Sequence, residues 1–206
     1  MKTDAGFVTT ETGIFHWNLS DREIRRGIAR KKSRHPTALL LEKTPANALA
    51  LDRITALFPH AKIIHVIRDP RAVINSMLQS RFSSGLRLAS TIEDAITLYR
   101  RYATATEPYK DYPNLIRVHY EALFKHPEPT LKTLCRFIDI PVREDQLVHV
   151  VQTNANQPQT VASNDFRKGE IDSYQYELDK QELLQIEREL ADVFDAYGYP
   201  SELKQV

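Results

Sequence analysis

Two short stretches of this chain release charged residues directly behind apolar runs. In the first, Ala38 to Leu41 is followed by Glu42, Lys43, Thr44 and Pro45. In the second, Lys62 to Ile67 is followed by Arg68, Asp69, Pro70 and Arg71, with Ser76 eight positions beyond Arg68. A carboxylate at a strand end beside a ligand crevice can act as a general base, and a neighbouring ammonium can stabilise negative charge developing on a phosphate or sulfate group. The plainer alternative is a pair of exposed loop charges. Arg68 is either a phosphate ligand or half of an ion pair with Asp69, and Ser76 is either a hydroxyl ligand or an ordinary helical serine. A further pair of cations, Arg167 and Lys168, stands beside Gly169 far downstream.

The elements around these residues follow from patterning. Thr37 to Leu41 shows no alternation, so it is predicted as a strand buried on both faces, and Ala61 to Ile67 as a second. Between them Leu51, Ile54, Leu57 and Phe58 recur at helical spacing, predicting a helix over 47–58. Strand, helix and strand make a βαβ unit with parallel strands. Parallel strands deliver their C-terminal ends to one edge of the sheet, where open α/β sheets bind ligands. Glu42 and Arg68 are therefore expected on a common edge.

After Arg68, Asp69 suits an N-cap and Pro70 the first helical position. A helix over 91–105, a third strand over 114–119, a helix over 127–140 and a short helix over 142–151 follow from apolar spacing. Cys135 reads as a small buried hydrophobe rather than a nucleophile. Residues 180–197 carry the clearest stripe, Leu183, Ile186, Leu190, Val193, Phe194 and Tyr197, with Gly198 as the C-cap. At the other end, a short strand fits within 6–17. Ser20 and Glu23 then predict a capping box opening a basic helix, whose cations form either an anion-attracting cluster or a solvated face.

Composition bounds the possibilities. The 206 residues suffice for one domain of ordinary size; 42% are hydrophobic and 27% charged, and the net charge is +1. Any anion site must be local, and a nucleic-acid-coating role has no support. The histidines are scattered and there is no Cys cluster, so no metal site is expected. One cysteine excludes an internal disulfide. No apolar run approaches the ~20 residues of a membrane span, and no signal-peptide pattern is evident, so the expected location is cytoplasmic.

Taken together, Leu40-Leu-Glu-Lys-Thr-Pro-Ala-Asn47, Phe58 through Val73, and Ser76-Met77 resemble the sulfotransferases. The likeness continues through Val118 to Leu123 and Leu134 to Pro141, and in Phe166-Arg-Lys-Gly169. It implies an α/β fold of the P-loop NTPase-like type, a three-layer parallel sheet flanked by helices. It implies transfer of a sulfuryl group from 3′-phosphoadenosine 5′-phosphosulfate to a hydroxyl or amine of a small-molecule or carbohydrate acceptor. It assigns Arg68, Ser76, Arg167, Lys168 and Gly169 to the cofactor's 3′-phosphate, Glu42 to the base, and Lys43 to the phosphosulfate or to orienting Glu42. One domain is expected over 1–206, with a variable segment (1–36), a core (37–151), and a cofactor-covering loop with C-terminal helix (152–206).

The chain departs from the family in two places. Asp172-Ser-Tyr174 stands where a Gly-Asp-Trp-like sequence normally follows Arg-Lys-Gly, with Tyr174 a substitute aromatic. No phosphate loop precedes Glu42, since Gly6, Gly13 and Gly27 lack the flanking strand and hydroxyl pair. The expectation is a sulfotransferase without its first βα unit, incomplete at the N-terminus and poorly active alone. The alternatives are an oligomer or a completing chain, or a non-catalytic interaction module. A nucleotide kinase is disfavoured because Gly-x-x-x-x-Gly-Lys-Ser/Thr is absent.

Overall fold

A computed structural model describes residues 7–10, 20–34, 39–80, 87–155 and 171–205. The chain divides into two compact units, Met1–Ala61 and Lys62–Val206. Arg167, Lys168 and Gly169, together with the expected loop around them, lie outside the described residues.

In the first unit strand β1 (Phe7–Thr10) pairs in parallel with β2 (Leu39–Glu42), Thr10 standing opposite Glu42. Between them runs helix α1 (Asp21–Arg34). Its start is the expected capping box: the Ser20 N–H donates to Glu23 Oε2 at 2.8 Å, and the Glu23 N–H donates back to Ser20 Oγ at 3.4 Å. Ile24 of α1 is fully buried and packs with Leu57, Ile28 and Phe58. Arg22, Arg25, Arg26, Arg30, Lys32 and Arg34 are exposed, so the basic cluster is a solvated face. Arg53 pairs with Asp21 at 2.8 Å.

Two expectations for this unit change. The predicted helix over 47–58 is a 3₁₀ stretch (Pro45–Ala50) running into α2 (Leu51–Leu57). Pro45 opens the stretch where its missing N–H is not needed. Strand β2 is not buried on both faces, since Leu39 and Leu41 are 40% and 48% exposed. An apolar run says what a strand can bury, whereas the elements lying over it decide what it does bury.

The second unit contains β3 (Ile63–Ile67) and β4 (Leu115–His119), paired in parallel with Ile67 opposite His119. Parallel neighbours need a long crossover, here supplied by α3 (Pro70–Gln79) and α4 (Ile92–Thr106). Beyond β4 come α5 (Tyr120–Lys125), α6 (Pro127–Phe137), α7 (Glu144–Ala155), α8 (Tyr174–Glu177), α9 (Lys180–Glu189) and α10 (Ala191–Tyr197). The hydrogen-bonded partner of β3 is thus β4, and that of β2 is β1. The sequence joins β2 and β3 as the parallel strands of one βαβ unit; each is a parallel strand, but each forms its ladder with another partner.

The core of this unit packs α3, α4, α9 and α10 together through Ile74, Ala95, Ile96, Ile186, Leu190 and Phe194. The single helix predicted over 180–197 breaks at Leu190 (φ −111°), yet its apolar stripe is the one that packs. Asp179 and Glu182 cap α9 reciprocally. Gly198 ends α10 in the left-handed region (φ +72°). The Gly198 N–H donates to Asp195 C=O and the Tyr199 N–H to Phe194 C=O, a Schellman pair. Cys135 is a free thiol in half-buried surroundings on α6.

Candidate functional site

The turn from β3 into α3 is built from residues 68 to 71. Pro70 is the first helical residue, and Asp69 caps the helix by accepting the Arg71 N–H at 2.9 Å. The same carboxylate takes the Arg71 guanidinium at 3.0 and 2.7 Å. The guanidinium paired with the Asp69 carboxylate is therefore that of Arg71 rather than Arg68. Arg71 is buried against the rings of Tyr174 and Phe194, both 5.1 Å away, and donates to Glu187 Oε1 at 2.7 Å. Burial opposes its charge, but the hydrogen bond and charge of Asp69, with Glu187, outweigh that and raise its pKa. Arg71 is a core cation that ties α3 to α9.

Arg68, one residue past β3, is half-buried with its guanidinium 4.7 Å above the Tyr120 ring. Arg68 and Tyr120 directly follow the last ladder pair, Ile67 and His119. The peptide unit joining Arg68 to Asp69 is held on both edges. Tyr99 Oη donates to Arg68 C=O at 3.1 Å, and the Asp69 N–H donates to Glu121 Oε1 at 3.0 Å. Tyr199 Oη donates to the other carboxylate oxygen, Oε2, at 2.8 Å. Burial, with the Glu121 hydrogen bond and charge, pushes the Tyr199 phenol well above its ordinary range. Burial does the same for Tyr99, so both hydroxyls keep the protons they donate.

Ser76 lies almost two turns along α3 and is half-buried, whereas its neighbour Asn75 turns inward. Asn75 donates to Glu177 Oε2 at 2.6 Å and to Ser173 Oγ at 3.2 Å, so α3 is pinned to α8 on one side while Ser76 faces elsewhere. Arg68 and Ser76 thus share one unit and one strand–helix junction. Tyr174, expected as a substitute aromatic, is buried under Arg71.

In the other unit Glu42 ends β2 and is half-buried, with the Thr44 hydroxyl donating to its Oε1 at 2.7 Å. Thr44 belongs to the same Glu-Lys-Thr-Pro run and holds the carboxylate in one orientation. Lys43 is exposed. Glu121, Tyr99 and Tyr199 were not among the sequence candidates for this site. Tyr99 lies within the apolar spacing that predicts a helix over 91–105, and the signal for Glu121 is a carboxylate following the third predicted strand.

A family model described as the sulfotransferase family matches residues 7–145. Protein-tyrosine sulfotransferase 1 of Danio rerio is 32% identical over 120 residues, 57% of this chain and 34% of that protein. A putative protein-tyrosine sulfotransferase of Caenorhabditis elegans is 31% identical over 112 residues, 53% of this chain and 43% of that protein. The matches therefore span less than half the length of these relatives. Among solved structures, a mouse sulfotransferase complexed with PAP covers 93% of this chain and 76% of its own at 17% identity and TM-score 0.64. The sulfotransferase domain from the curacin biosynthetic pathway covers 86% and 69% at 19% identity and TM-score 0.61. These two agree with the expected α/β, P-loop-like sulfotransferase fold.

The relatives also overturn one expectation. Protein-tyrosine sulfotransferases are Golgi membrane enzymes, which points away from a cytoplasmic location. A single cysteine and the lack of a long apolar run describe this stretch of chain and carry no address of their own; no described helix is long and apolar enough to cross a membrane. With the family model matching most of its length and the fold shared with solved members, the chain belongs to the sulfotransferase family.

Proposed function

We propose that this chain takes part in sulfuryl transfer from 3′-phosphoadenosine 5′-phosphosulfate to a hydroxyl or amine acceptor, with Arg68 and Ser76 binding the 3′-phosphate. The observation that carries the reading is Arg68, held by its peptide unit at the end of β3 and half-exposed above Tyr120, at the junction with the helix that bears Ser76. An arginine offers a planar fork of donors to a phosphate, and a serine hydroxyl adds one more. Asp69 is occupied by Arg71, so its charge is already neutralised at the junction.

The donor supplies an activated sulfuryl group, and the residues of this chain supply binding and proton transfer. Glu42, oriented by Thr44, accepts the proton of the acceptor hydroxyl as that oxygen attacks sulfur. The bond between sulfur and the phosphate oxygen breaks, and adenosine 3′,5′-bisphosphate departs with the electron pair. Lys43 stabilises the charge that develops on the departing phosphate. Arg167, Lys168 and Gly169 complete the 3′-phosphate contacts in this proposal, and residues 1–206 act as a single domain. Because the relatives are named for protein tyrosine, a tyrosyl phenol is the acceptor to test before a carbohydrate.

Calorimetry with adenosine 3′,5′-bisphosphate tests the site. The parent chain binds and Arg68→Ala does not; equal affinity in the two would refute the assignment.

A further inference from the structure

In a capping box the third helical residue reaches back to the N-cap N–H. Helix α3 cannot do this, because its third residue is Ala72. Glu121, from the start of α5 after the neighbouring strand, does it instead by accepting the Asp69 N–H at 3.0 Å. Tyr99 meanwhile donates to Arg68 C=O at 3.1 Å, so both polar atoms of the 68–69 peptide unit are engaged by side chains of other elements. The plane of that peptide fixes the direction in which the Arg68 side chain leaves the backbone. Tyr120, the residue before Glu121, carries the ring beneath the guanidinium. A single two-residue step of chain thus orients Arg68 at both its root and its tip. Glu121 is in turn held by Tyr199, which follows the Gly198 turn.

We infer that Glu121 is a positioning residue for Arg68: it fixes the peptide from which the 3′-phosphate ligand projects, with Tyr199 holding its carboxylate in place. The inference rests on the 3′-phosphate reading of Arg68. Glu121 itself touches no nucleotide. Its contribution is preorganisation, so its loss is felt only by ligands that use Arg68.

The experiment compares adenosine 3′,5′-bisphosphate with adenosine 5′-monophosphate by calorimetry on the parent chain, Arg68→Ala, Glu121→Ala, Glu121→Gln and Tyr199→Phe. Glu121→Ala is expected to weaken the bisphosphate about tenfold and to leave the monophosphate unchanged. Glu121→Gln stays within about threefold, because its carbonyl still accepts the Asp69 N–H and its amide can donate to the Tyr199 oxygen. Tyr199→Phe removes one hydroxyl and loses the bisphosphate selectively by about fivefold. It carries the test if Glu121→Ala fails to fold in a thermal scan. A selective loss in Arg68→Ala with none in Glu121→Ala or Tyr199→Phe overturns the inference alone, as does equal weakening of both nucleotides. No selective loss in Arg68→Ala, or no binding by the parent chain, overturns the 3′-phosphate reading and the inference with it.

Discussion

Arg71 donates to Glu187 Oε1 at 2.7 Å across 116 positions of sequence, with the two side chains 9% and 2% exposed. The same glutamate accepts the Ser201 hydroxyl at 2.8 Å and the Glu202 N–H at 2.7 Å. One buried ion pair therefore joins the start of α3, which follows Arg68, to α9 and to the turn at residues 202–205.

Breaking that pair from one side leaves a buried charge uncompensated. Arg71→Met, which keeps much of the volume, should lower stability by about 3–5 kcal/mol, a large part of the roughly 5–15 kcal/mol of an ordinary domain. Urea unfolding followed by circular dichroism measures the midpoint. A midpoint like that of the parent would show that Asp69 and Glu187 find other partners.

Charge should dominate over hydroxyl at the proposed phosphate site. Ser76→Ala is expected to weaken adenosine 3′,5′-bisphosphate about fivefold, the worth of one hydrogen bond, while Arg68→Ala abolishes measurable binding. Raising the salt concentration should weaken the parent and Ser76→Ala by the same factor, because both keep the Arg68 charge. Calorimetry at two ionic strengths measures this, and binding unmoved by salt would count against the charge argument.

His65 predicts a fall in stability on mild acidification. Burial, the nearby Arg117 and, in opposition, Glu107 set its pKa at about 4, down from 6.5. Its ring meets Tyr197 edge-on at 6.2 Å. The folded state excludes a proton that the unfolded chain accepts below about pH 6.5. The stability contribution is thus complete above that pH and is lost as pH falls toward 4, by up to about 3 kcal/mol. Thermal scans between pH 7 and 4 should show a steeper decline for the parent than for His65→Leu. Parallel curves would remove His65 from the account.

Gly198→Ala isolates a backbone effect. A Cβ there meets nothing within 4 Å, so the substitution adds no clash and only the left-handed φ of +72° opposes it. The expected loss is about 1–2 kcal/mol, with Gly198→Asn milder. Because Tyr199 follows directly, a shift of this turn should also loosen its bond to Glu121. A loss much above the conformational figure would point to that second effect.

Residue order alone was enough for the local features of this protein. The Ser20–Glu23 box, the Asp69 cap with Pro70 behind it, the Gly198 turn and the third strand at Leu115–His119 each depend on a few neighbouring residues. The Arg68–Ser76 spacing was legible for the same reason, since one strand end and the following helix carry both. Pairing and burial were not legible. Whether β2 lies beside β3 or β1, and whether Leu39 and Leu41 are covered, depends on elements that no short window contains. Nor could order alone separate three arginines within fifty positions. Arg68 rests on Tyr120, Arg71 is sunk between Asp69 and Glu187, and Arg117 stacks on Tyr197. Their partners stand up to 116 positions away, and only folding brings a carboxylate or a ring to each. Electrostatic character follows from those partners rather than from the residue type, so the tertiary structure decided which cation became core and which remained at the strand end.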